Sequence, residues 1–432
     1  MNITNARAFI KQHLKTRLYL NSYYLIIGSA VTYLFNFVAL FLATRLFSTE
    51  AVGLGSAAVS AIGLVGIFSE FGIGIALIRF LPSAGPQRKN LIHTCFTLNA
   101  LSATLIALIY LVGLQLWSPA LLAIRQNIIL FLAFLIFTIA FTIRNLAQNV
   151  FLALQKAQFR AINDSTYSIV RVAFIVIFAL FINNTYGFFL ATGLAATVAF
   201  ITAIYWHLPR ISPGYFPSLG LKKNIIKEIR TYSLNNYVAR LLLYMPPMLI
   251  PLMIVNTLGA EMSARFYVAF SISQILRILP SSVSDSLLAE VSNDETSLGI
   301  NVRKALKQII ILTVPAVVLT ILVSGKLLSI FGQAYSGNLA WVLSLFALST
   351  IPYGINYLYI SIARAGKKMG NATKLIILSS GFSLLLGYVL MLKMSLIGMG
   401  IGFLTGQSIA AVIVVILLLK KYYRRSSVIS SS

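Results

Sequence analysis

Four arginines, Arg144, Arg171, Arg240 and Arg277, stand inside long apolar stretches of the chain. A guanidinium at membrane depth is unfavourable unless it faces a cavity, a partner or water. Its planar fork matches the oxygens of a phosphate or a carboxylate. Four forks at one level, two in each half of the chain, read as an anion site. The competing reading pairs each arginine with a carboxylate or carbonyl, or lets it snorkel to the interface. Acids that could pair are few: Glu70, Asp164, Asp285 and Glu290. Helical spacing puts Asp164 two turns from Arg171, and Asp285 two turns from Arg277 on one face. Glu70, in Phe68-Ser69-Glu70-Phe71-Gly72, and Asp285 are therefore the candidates for ion pairing or coupling.

The elements that must carry these side chains are apolar spans. Residues are 59% hydrophobic and 10% charged, against about 25% charged in soluble domains, and the mean hydropathy is +0.89. A chain of 432 residues with this bias holds about twelve spans of roughly 20 residues. The expected spans are 24–44, 51–78, 91–115, 127–152, 162–182, 186–206, 231–255, 264–288, 307–324, 339–362, 373–392 and 397–419. Of 34 lysines and arginines, 25 fall on one side of these spans, five on the other and four inside. By the positive-inside bias the rich side and both termini are cytoplasmic. The net charge of +25 thus sets topology and meets anionic lipid, and does not mark a nucleic-acid surface. At 1.5 Å per residue the four arginines lie about 12–17 Å from the cytoplasmic face of a core roughly 30 Å thick.

The organisation is all-helical: a polytopic membrane protein of about twelve transmembrane helices in two six-helix lobes around a central cleft. Residues 1–22 form a basic segment, with Phe9, Ile10, Leu14 and Leu18 at helical spacing between basic residues. It reads either as an amphipathic helix on the inner leaflet or as a topogenic tail. The N-lobe runs 23–206, a proline-containing linker loop 207–230, the C-lobe 231–420 and a tail 421–432. Matching features recur at an offset of roughly half the chain, as in a duplicated six-span unit. One is the turn Gln155-Lys156-Ala157 against Gly366-Lys367-Lys368. Pro246, Pro247 and Pro251 crowd span seven, which should break or bend. That bend reads as a hinge facing the cleft or as a static packing kink. The single Cys95 says nothing of redox compartment. His13, His93 and His207 lack metal-ligand spacing, and no Lys-Ser/Thr phosphate loop appears. The expectation is a transporter with no catalytic motif, cofactor or metal.

Several short patterns, in order along nearly the whole chain, are similar to one family. They include Ala43-Thr44-Arg45-Leu46 with Glu50-Ala51-Val52-Gly53, Phe71-Gly72-Ile73-Gly74 with Ile78-Arg79-Phe80, and Leu288-Ala289-Glu290-Val291. Ile330-Phe331-Gly332-Gln333-Ala334-Tyr335 and the glycine-rich 396–402 complete them. The chain resembles Wzx-type O-antigen flippases, in the polysaccharide transporter branch of the multidrug/oligosaccharidyl-lipid/polysaccharide (MOP) superfamily. The resemblance implies an inner-membrane flippase that moves an undecaprenyl-pyrophosphate-linked oligosaccharide from cytoplasmic to periplasmic leaflet by alternating access, for O-antigen or lipopolysaccharide synthesis. It implies membrane lipids, a polysaccharide polymerase and a chain-length regulator as partners, and no nucleic acid. On this reading the four arginines take the pyrophosphate. Asn145, Gln148, Asn149, Asn235, Asn236, Gln274 and Asn356 are the candidate sugar contacts. A drug antiporter of the same superfamily and a non-transporting scaffold of an assembly complex stay open.

Overall fold

A chain that crosses a bilayer must satisfy its backbone hydrogen bonds within itself, so its apolar stretches fold as helices. The computed structural model of the protein describes residues 17–182, 185–291, 298–365 and 369–429, and among these the regular structure is all helical. The first seven principal helices are α1 (Arg17–Leu46), α2 (Thr49–Glu70), α3 (Ile73–Phe80), α4 (Arg88–Val112), α5 (Ile128–Ala153), α6 (Ala157–Phe181) and α7 (Gly187–Ile201). Seven more follow: α8 (Lys223–Leu258), α9 (Ala260–Leu276), α10 (Ile278–Val291), α11 (Leu298–Ser329), α12 (Leu339–Leu348), α13 (Thr350–Ala365) and α14 (Met369–Ile429).

Among the described residues, eleven helical stretches are long and apolar enough to cross a membrane. The last, Gly370–Leu419, is 50 residues long. It is broken at Ser395, where φ is 54° and ψ is −142°. The break divides it into two segments of crossing length, so twelve apolar segments result, as the sequence led one to expect. The protein is a multi-pass membrane protein.

The helices differ from the expected spans in four places. Span 51–78 is two helices, because Phe71 and Gly72 both turn left-handed (φ 45° and 75°) between α2 and α3. Span 264–288 falls within one apolar stretch, Ala260–Leu287, whose helix is interrupted for the single residue Arg277. The segment 207–230 is less loop than its prolines suggest. A π turn over Thr202–His207 and a short helix Leu208–Ile211 extend α7, and α8 begins at Lys223. Span seven is not broken: α8 carries Pro246, Pro247 and Pro251 within one continuous helix. Each proline removes one backbone donor, and the surrounding turns hold the helix. The basic segment 1–22 lies outside the described residues as far as Thr16, and the turn 366–368 lies outside them too.

The chain forms two compact units, Met1–Leu241 and Leu242–Ser432, and passes from one to the other within α8. In the first, α2 is the enclosed helix and packs against α4, α5 and α7. Its buried face is built of Gly53, Gly55, Ala57, Ala58, Ala61 and Gly66, small residues that let helices approach closely in a membrane. Ser48 caps its start, accepting from the Ala51 amide at 3.2 Å, and Asn127 caps α5 in the same way. Helices α1 and α7 lie against α6. In the second unit α13 packs on α10 and α14, and α9 on α12. Phe266, Phe270, Phe346 and Phe403 meet there ring to ring.

Candidate functional site

Each of the four arginines is buried or half-buried in its own unit, and each has a different set of neighbours. A tight turn at Gln155 (φ 55°) folds α6 back along α5. That turn sets residues about twenty apart face to face. Arg144 thereby donates from Nη2 to Asp164 Oδ1 at 2.5 Å and from Nε to Asn163 Oδ1 at 3.0 Å. Gln148 donates to the same Asp164 oxygen, and Arg160 stands 3.8 Å from Oδ2. The Tyr167 ring lies 4.7 Å from the guanidinium. Asn163 is held in turn by donating to Ala199 O at 2.7 Å. Asp164 therefore pairs with Arg144 rather than with Arg171, because it faces α5 across the hairpin. Arg171, on α6, donates to Asn36 on α1 at 3.3 Å and lies 5.3 Å from the Phe188 ring.

Arg240 is paired too. Its Nη2 sits 3.3 Å from Glu70 Oε1, at the last residue of α2. Two glycines make the junction. Gly72 has φ 75°, and a Cβ there would run into the backbone of Ser233. Gly74 leaves room for both the Glu70 carboxylate and the Asn149 amide. Tyr237 donates to Phe68 O at 3.0 Å and its ring meets Phe71 at 5.6 Å. This end of α2 is thus tied to α8 between Ser233 and Arg240.

Arg277 stands apart. It occupies the break between α9 and α10, where its own amide bonds to Gln274 O at 3.2 Å in a tightened turn. Three ring faces surround its guanidinium: Tyr353 at 4.8 Å, Phe403 at 5.0 Å and Phe270 at 5.6 Å. The side chain lines a cavity of about 40 Å³ together with Pro246, Pro247, Tyr353, Asn356, Tyr357, Ser379, Ser380, Phe403 and Gln407. Asn356 donates to Gln407 O at 3.0 Å and to its Oε1 at 3.1 Å. Among the described residues, no carboxylate lines the cavity. Asp285, expected beside Arg277, instead accepts from Tyr357 at 3.3 Å. Among the described residues, no acid lies within ion-pair distance of Arg277, and its Nε and Nη2 have no hydrogen-bond partner.

The other candidates divide by surroundings. Gln148 and Asn356 are buried and bonded within the protein. Asn145, Asn149 and Gln274 are half-buried. The side chains of Asn235 and Asn236 lie outside the described residues. Tyr353, Ser379, Ser380 and Gln407 were not singled out from the sequence. Gln407, an amide inside an apolar run, carried the same signal as Asn356. Hydroxyls carry none, since they are common in any membrane helix. Among the described residues, no three His, Cys, Asp or Glu side chains come together as a metal site.

The sequence model of a family described as polysaccharide biosynthesis protein matches residues 18–283. No protein of curated function matches the sequence. The structure is similar to the lipid II flippase MurJ in an inward closed conformation, with a TM-score of 0.74 and 15% identity over 92% of this chain and 87% of that one. It is also similar to an inward-facing multidrug resistance MATE family transporter of the MOP superfamily, with a TM-score of 0.70 and 14% identity over 94% and 99%. A MOP superfamily transporter from Pyrococcus furiosus matches with a TM-score of 0.62 and 15% identity over 93% and 94%. These likenesses establish the fold.

Proposed function

The chain belongs to the polysaccharide biosynthesis protein family, and on that premise we propose that it is a flippase for an undecaprenyl-pyrophosphate-linked oligosaccharide. The cargo is an O-antigen or related repeat unit, carried from the cytoplasmic to the periplasmic leaflet of the inner membrane by alternating access. The observation that carries this reading is Arg277: among the described residues, a buried guanidinium whose Nε and Nη2 have no partner, beside a cavity that no carboxylate lines. A cation so placed suits an anionic head group that must pass through membrane depth. A cation exporter would want acids there. Arg144 and Arg240 hold Asp164 and Glu70, so they reach the head group only by releasing those carboxylates. Arg171 is the anion-binding residue we assign first within the first unit. Asn145, Asn149 and Gln274 are the sugar contacts we assign first.

The 25:5 distribution of basic residues supports cytoplasmic termini. Pro246, Pro247 and Pro251, a few residues beyond the point where α8 leaves the first unit, are the hinge. A polymerase and a chain-length regulator are the partners that would use the exported unit. Likeness to a MATE transporter keeps one second reading, a small-molecule antiporter. Gene deletion separates the two. A flippase mutant loses surface polysaccharide while the lipid-linked unit accumulates on the cytoplasmic face. Normal surface polymer with altered drug sensitivity would favour the antiporter.

A further inference from the structure

The segment between α7 and α8 is fastened to the flank of α4, all within the first unit. Gly214 turns left-handed (φ 73°), where a Cβ would run into Lys89 Nζ. Tyr215 is buried, with its ring 5.1 Å from that of His93. His93 Nε2 donates to Phe216 O at 2.9 Å, and its Nδ1 stands 3.1 Å from Ser218 Oγ. The Gly220 amide donates to Thr97 Oγ1 at 3.1 Å, and the Lys222 amide to Thr94 Oγ1 at 3.3 Å. Followed residue by residue, the segment passes His93, reaches Thr97 and returns to Thr94. It therefore dips along α4 by about one helical turn, roughly 5–6 Å, and turns back near Gly220. Helix α4 belongs to an apolar stretch, Gly85–Val112, long enough to cross a membrane. At 1.5 Å per residue Thr97 lies about 22 Å from the Val112 end, short of the roughly 30 Å of a hydrocarbon core. The dip thus reaches the depth of the bilayer interface.

What it presents outward there is apolar. Leu219 is 87% exposed, Phe216 76% and Leu221 50%. Three such side chains gathered on a short loop are unfavourable in water, and at interface depth they meet acyl chains instead. The flanks are cationic: from Leu208 to Lys227 the chain carries Arg210, Lys222, Lys223 and Lys227 and no acid. Just before them Trp206 is exposed, with the Arg210 guanidinium 3.9 Å from its ring, an aromatic of the kind that marks a membrane–water boundary. An apolar tip between cations is complementary to an anionic leaflet.

We propose that residues 212–222 are an interfacial anchor: Leu219, Phe216 and Leu221 enter an anionic phospholipid leaflet, Lys222 and Lys223 meet its head groups, and His93 holds the segment at that depth. The anchor fixes the linker between the units to the membrane beside α4. It stands whatever the protein carries.

The test uses the full-length protein in lipid vesicles. Leu219→Cys is labelled with a polarity-sensitive fluorophore, and Glu228→Cys, exposed on α8, is the reference. Cys95 is the one natural cysteine and is buried, so the label goes to the introduced thiol, with the parent chain as the blank. A monodisperse size-exclusion profile shows that each labelled variant has folded. Quenching is measured with iodide on both sides of the vesicle, and with brominated phosphatidylcholine or brominated phosphatidylglycerol in the bilayer. The Leu219 probe should be quenched by brominated lipid and spared by iodide, and the Glu228 probe the reverse. Phosphatidylglycerol should quench the Leu219 probe several-fold more than phosphatidylcholine, and Lys222→Gln/Lys223→Gln should bring the two lipids level. His93→Ala should free the segment and open the probe to iodide. Iodide quenching of the Leu219 probe as strong as that of the Glu228 probe overturns the proposal, since the tip then faces water. Protection from both quenchers overturns it as well, because protein then covers the tip. Equal quenching by the two lipids in the unsubstituted segment removes the anionic leaflet as its partner, and a probe unmoved by His93→Ala removes the role of His93.

Discussion

Arg144 and Arg277 are both arginines buried in the apolar part of a helical unit, and they are accommodated in opposite ways. Arg144 is neutralised: Asp164, Asn163 and Gln148 form a bonded set around it, and the hairpin between α5 and α6 fixes that set. Arg277 keeps its charge: aromatic rings and amides surround it, and no acid is among the described residues that line its cavity. A cation with a bonded carboxylate has its electrostatic need met by the fold. A cation caged by rings has only part of it met, because a cation–π contact is worth about 0.5–2 kcal/mol and leaves N–H groups without acceptors. The first arrangement builds structure, and the second leaves capacity for a ligand.

The contrast can be broken from its paired side. Asp164→Asn leaves Arg144 charged and stranded, which costs about 3 kcal/mol or more. The expected outcome is a marked drop in melting temperature and in membrane protein yield. Adding Arg144→Met should recover most of the loss, since a buried pair replaced by apolar side chains is often close to neutral. A double variant as unstable as the single one would mean that Asp164 serves something other than Arg144.

The caged side responds less. Phe403→Leu removes one ring face and some packing next to Arg277. A loss of about 1–2 kcal/mol is expected, read as a moderate fall in melting temperature. No fall would mean that the rings do not hold the guanidinium. The pair of Arg240 and Glu70 lies between the extremes, part-buried and 3.3 Å apart. Glu70→Gln should cost about 1 kcal/mol or less. A large loss there would place it with Arg144 as a structural pair.

The sequence made some of this plain and hid the rest. The spans were legible because backbone satisfaction in lipid admits little but helices, and a hydropathy run reveals them. The breaks at Phe71-Gly72 and at Arg277 were not legible. Pro280, which cannot donate back to Leu276, follows the second at three residues' distance, and at the first Gly72 lies against the Ser233 backbone while the Phe71 ring meets Tyr237. The three prolines of α8, which looked like a break, sit within a continuous helix, since a lost donor costs one hydrogen bond and the neighbouring turns remain. Arginines at depth were legible as unusual. Their partners were not, because helical spacing along one helix offers Asp164 to Arg171, seven residues on, whereas its partner Arg144 lies across the hairpin. Only the hairpin geometry decides between them. Tyr353 and Gln407 come to Arg277 from 76 and 130 residues further along the chain, separations that no helical spacing encodes.

The most direct test of the account is complementation of a deletion strain with two variants at matched protein levels, Arg277→Gln and the double Arg144→Met/Asp164→Asn. The account predicts that Arg277→Gln loses surface polysaccharide tenfold or more, with the lipid-linked unit retained inside, while the double variant exports. Normal export by Arg277→Gln, with loss of export in the double variant at the same level, would contradict it.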